Sequence, residues 1–306
     1  LSLLSFDTSV PNAPPYFSSV PTLRGFSYDP SSSLAALLAG QGRPSNGSGA
    51  ANNVGPIMQF ETTGRSQYHS LQFQVRGRLS RGLQYQANYT LGNAKDDVSD
   101  VFDLAGSPAL PQNSLTFGGE YGPSNFDARH KVSYSVVYDL PRLQNASAPT
   151  RAFLGGWQFA SAGRVRTGQP FTVNSIFDVN LDGNLTDRLD NTSLIAANDG
   201  NDPAVLVSSA SSATELQSML APVGTSGSVA RNSFRGRSLV DLDFAFSKRF
   251  FFTERQNLQF RVEVLNFLNR ANFAIPVRFL EAPGFGRAVD TVTPGRRIQL
   301  ALKYQF

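Results

Sequence analysis

Seven stretches of the chain alternate between apolar and polar side chains with a period of two. That is the pattern of strands that show one face to water and the other to something apolar. In SLQFQVRGRL, Leu71, Phe73, Val75 and Leu79 share one face, and Gln72, Gln74, Arg76 and Arg78 share the other. LQYQANYTL sets Leu83, Tyr85, Ala87, Tyr89 and Leu91 against Gln84, Gln86, Asn88 and Thr90. KVSYSVVYDL gathers Val132, Tyr134, Val136, Tyr138 and Leu140, and a noisier strand is predicted from Trp157 to Val173. LVDLDFAFSKRF places Val240, Leu242, Phe244, Phe246 and Phe250 opposite Asp241, Asp243, Ser247 and Arg249. NLQFRVEV follows with Leu258, Phe260, Val262 and Val264 opposite Gln259, Arg261 and Glu263. The chain closes on Ile298, Leu300, Leu302, Tyr304 and Phe306. The fold class this predicts is all-β and antiparallel.

Alternation alone does not say what the apolar faces meet. In a soluble sandwich they would meet each other across a shared core. In an outer-membrane barrel they would meet lipid, with aromatic girdles at the two interfaces and water on the polar side. The connections favour the barrel. They run short (80–82), long (92–129), medium (141–156), very long (174–237), short (251–256) and long (269–295). Barrels join their strands by short periplasmic turns and long outer loops. With the C-terminus on the periplasmic side, every long connection falls outside. A short helix is predicted over ATELQSML within the longest one, residues 8–67 read as another outer loop, and 1–7 as the tail of an earlier strand.

Composition narrows the function classes. With 11% aromatic residues, 24 Phe and 2 Met, the 306-residue chain leans toward strand-forming side chains. Cysteine is absent, which excludes disulfides, thiolate nucleophiles and cysteine metal sites. No apolar run is long enough for a membrane-spanning helix, which leaves strand-built membrane proteins open. The net charge is +4 with Arg scattered, so no nucleic-acid footprint is expected. Neither an initiator Met nor a signal peptide opens the chain. The last strand, closing on Tyr304 and Phe306, resembles the signal that the barrel assembly machinery reads. Trp157, Tyr304 and Phe306 are read as interfacial anchors.

Longer phrases carry a family likeness. SQYHSLQFQVRGRLSRGLQYQANYTLGNAKDD, FDARHKVSYSVVYDLP and FLGGWQFASAGRVRTGQPFTV resemble successive strands of the Oar-like TonB-dependent receptors. FRGRSLVDLDFAFSKRFFFTERQNLQFRVEVLNFLNRANFAIP and FGRAVDTVTPGRRIQLALKYQF resemble their last three strands, so the likeness covers about Gly64 to Phe306. It implies an outer-membrane location, a 22-stranded transmembrane β-barrel enclosing a plug, and import of a ligand energised through TonB. No plug or TonB-box segment is legible, and seven or eight strands are too few to close such a barrel. Residues 1–306 are therefore expected to be the C-terminal barrel part of a longer receptor, whose missing N-terminal region would hold the plug, a regulatory-like domain and the contact with TonB. An independent eight-stranded barrel is the alternative architecture. An adhesin or surface-assembly barrel without transport is the alternative function, and a soluble secreted β-sandwich is a third reading.

Candidate chemistry is sparse. In DVNLDGNLTDRLD, Asp178, Asn180, Asp182 and Gly183 match the opening of a calcium loop, in which oxygen ligands at alternate positions converge on a hard cation. Asn184 would offer its carbonyl, and Thr186 would act through water. The twelfth position is Leu189 where the helix–loop–helix motif has Glu, so Asp187 or Asp190 would have to serve. The competing reading is a loop of Asx-turns without an ion. Arg76, Arg78, Arg164, Arg166 and Arg261 fall on the polar face and would draw anions, unless Asp241, Asp243 and Glu263 pair with them; mixed signs on neighbouring strands favour pairing. Two histidines, His69 and His130, are too few for a zinc site. Asp127, Arg129 and His130 are expected to form a polar network where loop meets strand, and Gly118, Gly119 and Gly122 lack the Lys of a phosphate loop. No enzymatic chemistry is expected.

Overall fold

The computed structural model describes residues 62–306, apart from 80–81, 101–108, 114–115, 142, 144, 146, 183, 199, 201 and 254. The strand expected over 1–7 and most of the loop expected over 8–67 lie outside the described residues. In chain order the strands are β1 (Ser66–Leu79), β2 (Leu83–Asp96), β3 (Gly122–Pro123), β4 (His130–Asp139), β5 (Trp157–Arg166) and β6 (Pro170–Phe171). They continue as β7 (Ile195–Ala197), β8 (Leu206–Ser208), β9 (Phe234–Arg235), β10 (Leu239–Phe251), β11 (Asn257–Leu265) and β12 (Arg297–Gln305). Two short helices join them, α1 (Ala148–Leu154) and α2 (Ala213–Gln217).

All seven predicted strands are present. They pair antiparallel in the order β1-β2-β4-β5-β10-β11-β12, each long strand beside the next one along the chain. The register keeps the faces in phase across the sheet: Leu79, Leu83, Tyr138, Phe159, Phe246, Val262 and Leu300 form one transverse row. The row Arg78, Gln84, Val137, Ala160, Ala245, Glu263 and Gln299 lies on the opposite face. Among the described residues the sheet stays open, with β1 and β12 at its edges.

Three boundaries differ clearly from the sequence pattern. Ser66 to His69 already belong to β1 and Gly92 to Asp96 still belong to β2, because backbone pairing between them extends the hairpin past the end of the apolar alternation. The strand expected to run from Trp157 to Val173 stops at Arg166. There Gly168 lies against Gly236 so closely that a Cβ would sit 1.7 Å from the Gly236 carbonyl oxygen. After this break Pro170 and Phe171 pair with β9 instead. The predicted helix is present as α2, held by a capping box in which Ser212 and Glu215 satisfy each other's backbone N–H groups.

Burial separates the sheet from its connections. The apolar face is bare: Phe73 is 56% exposed, Val75 57%, Leu300 70% and Leu302 68%. No second sheet covers it among the described residues. The hydrophobic core lies in the long connections instead. Phe171, Val173, Leu189, Leu206, Leu216, Met219, Leu280 and Phe285 cluster together there, each almost wholly buried. At about 1.5–3 kcal/mol for each large apolar side chain removed from water, such a cluster can order a cap. The cap stands at one end of the sheet, where β2, β5 and β11 finish and β4, β10 and β12 begin. The opposite end carries the short connections, so the predicted alternation of long and short holds.

The bare face is also smoothed. Tyr85 lies over Gly77 and Tyr134 over Gly163, each ring occupying the space a Cβ would need. Phe159 packs against Phe244 and Phe246, with ring centroids 5.8 and 5.2 Å apart. At the short-connection end, Lys248 reaches along Trp157 and Phe250 and donates to the Gly155 carbonyl at 2.7 Å. Beside it the unpredicted helix α1 exposes Phe153 and Leu154. An amphipathic cation beside exposed aromatic rings is what a membrane interface selects.

Candidate functional site

Three long connections build the cap, and polar contacts fasten it to the strand ends. Arg231 donates to the Asp96 carboxylate and, at 2.6 Å, to the Asp96 carbonyl, tying the longest connection to the end of β2. Arg235 pairs with Asp127, whose other carboxylate oxygen accepts from the Ala94 N–H at 2.8 Å. Asn272 spans β10 through both the N–H and the carbonyl of Val240 and donates to Thr293. Asn266 and Asn269 follow β11 with φ of 49° and 51°, a left-handed geometry that Asn tolerates. Asn266 then bonds Arg270 and Pro294 to close the last long connection.

Within the cap, residues 174–189 form a hairpin closed by a bridge between Asn174 and Arg188. The acidic sequence predicted to hold a cation is its tip. The Asp182 N–H donates to Asp178 Oδ1 and to Asn180 Oδ1, both at 3.1 Å, and the Asn184 N–H donates to Asp182 Oδ1 at 2.9 Å. The two asparagines spend their amide nitrogens outward: Asn180 donates to the Gln112 carbonyl at 2.6 Å and Asn184 to the Pro111 carbonyl at 3.4 Å. Thr186 also donates to Pro111, at 2.6 Å.

Asp187 closes this turn from beneath. It is completely buried, and Oδ2 accepts from the Val179 N–H at 2.8 Å. Oδ1 is buried with no hydrogen-bond partner. Burial, reinforced by the negative charges of Asp178 and Asp182, pushes this carboxyl up to about 7. Asp190 stands outside the tip, exposed, and accepts from Ser228. The structure thus brings Asp178, Asn180, Asp182, Asn184 and Asp187 into one loop and separates Asp190 from them. Gly183 lies outside the described residues.

Two buried cations flank the hairpin. Arg188 pairs with Glu120 at 3.1 Å and donates to the Gly119 carbonyl. Burial pushes Arg188 below the usual guanidinium range, with Glu120 opposing the shift. Arg278 donates to Asn174 at 2.8 Å, and burial lowers it to about 10. Glu281, fully buried, accepts from Ser175 and from the Ile176 N–H. These partners lie up to 106 residues apart in the chain, and no local sequence signal announces them.

The five predicted arginines divide. Arg164 pairs with Asp241 at 3.0 Å across neighbouring strands, and Arg261 pairs with Glu263 on its own strand. Arg76, Arg78 and Arg166 form no ion pair among the described residues. Arg76 and Arg78 line a shallow hollow on the polar face with Gln84, Gln86, Ser135 and Val137.

The expected network of Asp127, Arg129 and His130 does not form as such. Asp127 turns inward to Arg235, whereas His130 stacks on Tyr89 and meets its hydroxyl at 2.9 Å. Strand alternation explains the split, since His130 shares the outer face with Leu91. Tyr304 and Phe306 stack at 5.9 Å on the outer face of the last strand, both largely exposed. Among the described residues, no helix is long and apolar enough to cross a membrane.

No curated protein matches the chain. The sequence profile of the family described as "Outer membrane beta barrel domain" matches residues 12–299, nearly the whole length. Together with an antiparallel sheet whose apolar face is bare and whose core lies in the connections at one end, this match shows that the chain belongs to the outer membrane beta barrel domain family and resides in the outer membrane.

Proposed function

We propose that this chain forms part of the wall and outer cap of an Oar-like, TonB-dependent outer-membrane transporter. The observation that carries the reading is the polar face beneath the folded cap. A barrel used only for attachment needs a cap, but it does not need cationic side chains facing its interior. Here Arg76, Arg78 and Arg166 are held on that face without acidic partners among the described residues. They offer positive charge along the path a ligand would take once the cap admits it. The phrase-by-phrase likeness to Oar-like receptors supports the same reading. A plug and a TonB contact belong to the N-terminal region of the full protein under this proposal. The exposed last strand, ending in Tyr304 and Phe306, would be what the assembly machinery engages.

The test is nutritional. Strains lacking the receptor gene, lacking TonB, or lacking neither are grown on panels of peptides, oligosaccharides and metal chelates as limiting nutrients. A nutrient whose use requires both genes is the expected result. Unchanged growth on every panel member, with loss of surface attachment in the receptor deletion alone, would overturn transport in favour of an adhesin.

A further inference from the structure

We propose that the hairpin tip at 178–187 is a calcium site in which Asp187 supplies the closing acidic ligand. The motif and its Asx-turns alone would not distinguish a metal loop from an ordinary polar turn. The distinguishing observation is Asp187. A carboxylate with no solvent exposure keeps one oxygen, Oδ1, without any donor, although the other is fixed to Val179 at 2.8 Å. Burying an unsatisfied carboxylate oxygen is unfavourable unless a proton neutralises it or a cation meets it. The bond from Val179 ties that carboxylate to the backbone of the turn that carries Asp178, Asn180 and Asp182.

The donor set suits a hard cation. Calcium takes about six to eight oxygen ligands at flexible geometry. Asp178, Asn180, Asp182, the Asn184 carbonyl and the two oxygens of Asp187 reach that range without any nitrogen or sulfur donor. The amide nitrogens of Asn180 and Asn184 are already engaged by Gln112 and Pro111, which leaves their oxygens for the tip. Among the described residues no three His, Cys, Asp or Glu side chains gather tightly enough to hold a metal. Binding therefore draws Asp178 and Asp182 inward from the backbone N–H groups they now accept. Asp187 stands at the tenth position of the motif, two residues before the acidic position of the helix–loop–helix pattern. The loop thereby closes on its own hairpin, without flanking helices. A single ion then fastens the hairpin tip, and through Pro111 and Gln112 it also fastens the connection that follows β2. The affinity expected of such an extracellular module is weak, with a Kd of roughly 0.1–1 mM.

The site stands on cap geometry and does not depend on transport, so its test is separate from the nutritional one. The full-length receptor, purified from outer membranes in detergent and stripped with chelator, is followed by hydrogen exchange of the 176–188 amides during titration with calcium chloride or magnesium chloride. Calcium near about 1 mM is expected to slow exchange there, while magnesium at equal concentration does not. Asp187→Asn is expected to raise the calcium half-point about tenfold or more, because the charge count of the ligands sets affinity. Asp190→Asn should leave the half-point unchanged. If Asp187→Asn loosens the whole cap, exchange over 171–189 without metal will show it, and Asp182→Asn takes its place with the same expected shift. No slowing up to about 10 mM calcium, ten times the weak end of the expected range, would overturn the proposal. So would equal responses to the two cations, or an unshifted half-point in Asp182→Asn.

Discussion

Placing an arginine on either side of the same wall should separate lipid from water by energy. Val136 on β4 and Ala162 on β5 lie in adjacent transverse rows but on opposite faces. Val136 belongs to the row of Tyr85, Ser161 and Phe244, and Ala162 lies between Ser135 and Asp243 on the polar face. Ser161 is four residues along β5 from Trp157, the interfacial ring. Four residues cover about 13 Å of strand, which at about 40° of tilt is roughly 10 Å along the membrane normal. The apolar band of such barrels is about 25 Å tall, so this row sits near its centre. Val136→Arg should therefore cost about 2–4 kcal/mol. That range is a shift of roughly 30- to 700-fold in the folding equilibrium. Ala162→Arg faces water beside Asp243 and should change stability by about 0.5 kcal/mol or less, as surface substitutions do. Urea titration of the full-length receptor in lipid vesicles reads both, with the heat-dependent electrophoretic shift reporting the folded barrel. Equal midpoints for the two variants would refute the assignment of the bare face to lipid.

Other expectations follow from the cap. Leu280→Ala removes a fully buried side chain from the cap core and should cost about 2–5 kcal/mol locally. Limited proteolysis should then cut within 167–238 while the heat-dependent shift of the barrel persists. Asp96→Ala strands the largely buried Arg231 and should loosen the same segment by about 3–5 kcal/mol, more than Asp96→Asn, read by the same proteolysis. Gly168→Ala would drive a Cβ into the Gly236 backbone and should lower the yield of folded receptor, whereas Gly224→Ala meets open space and suffers only from its positive φ. Arg65 holds the Asp97 carboxyl below the usual carboxylate range. The tether between the start of β1 and the end of β2 should then be fully present above the ordinary Asp value and fade only as pH falls through the lowered one. Hydrogen exchange at residues 63–66 between neutral and acid pH would check this.

The wall was legible because one physical rule writes it. Each of Leu71, Phe73 and Val75 must face lipid while Gln72, Gln74 and Arg76 face water, so period two survives any choice of individual residues. The ends of the strands were less legible. Gly92 to Lys95 carry no alternation, yet backbone pairing with Gln67 to Ser70 continues through them. The cap was hardly legible at all. Its core joins Phe171, Met219 and Leu280, and its ion pair joins Glu120 to Arg188, separations over which a single sequence leaves no periodic trace. The acidic tip was visible as spacing. That Asp187 rather than Asp190 turns inward depends on the hairpin fold, which places one carboxylate under the turn and the other in solvent. Helix α1 was missed because its seven residues include Pro149 and no capping box.

The seat of the hydrophobic core has a consequence for the order of assembly. Phe171, Leu189, Leu206, Leu216 and Met219 belong to the connection between β5 and β10, and Leu280 and Phe285 to the connection between β11 and β12. Leu280 and Phe285 cannot join the other five until both connections have been carried to the far side of the membrane. The cap therefore forms last, from segments threaded across with the strands. Once formed, its buried apolar cluster would have to be exposed to water before either connection could be drawn back, so folding on the outside opposes the reverse step.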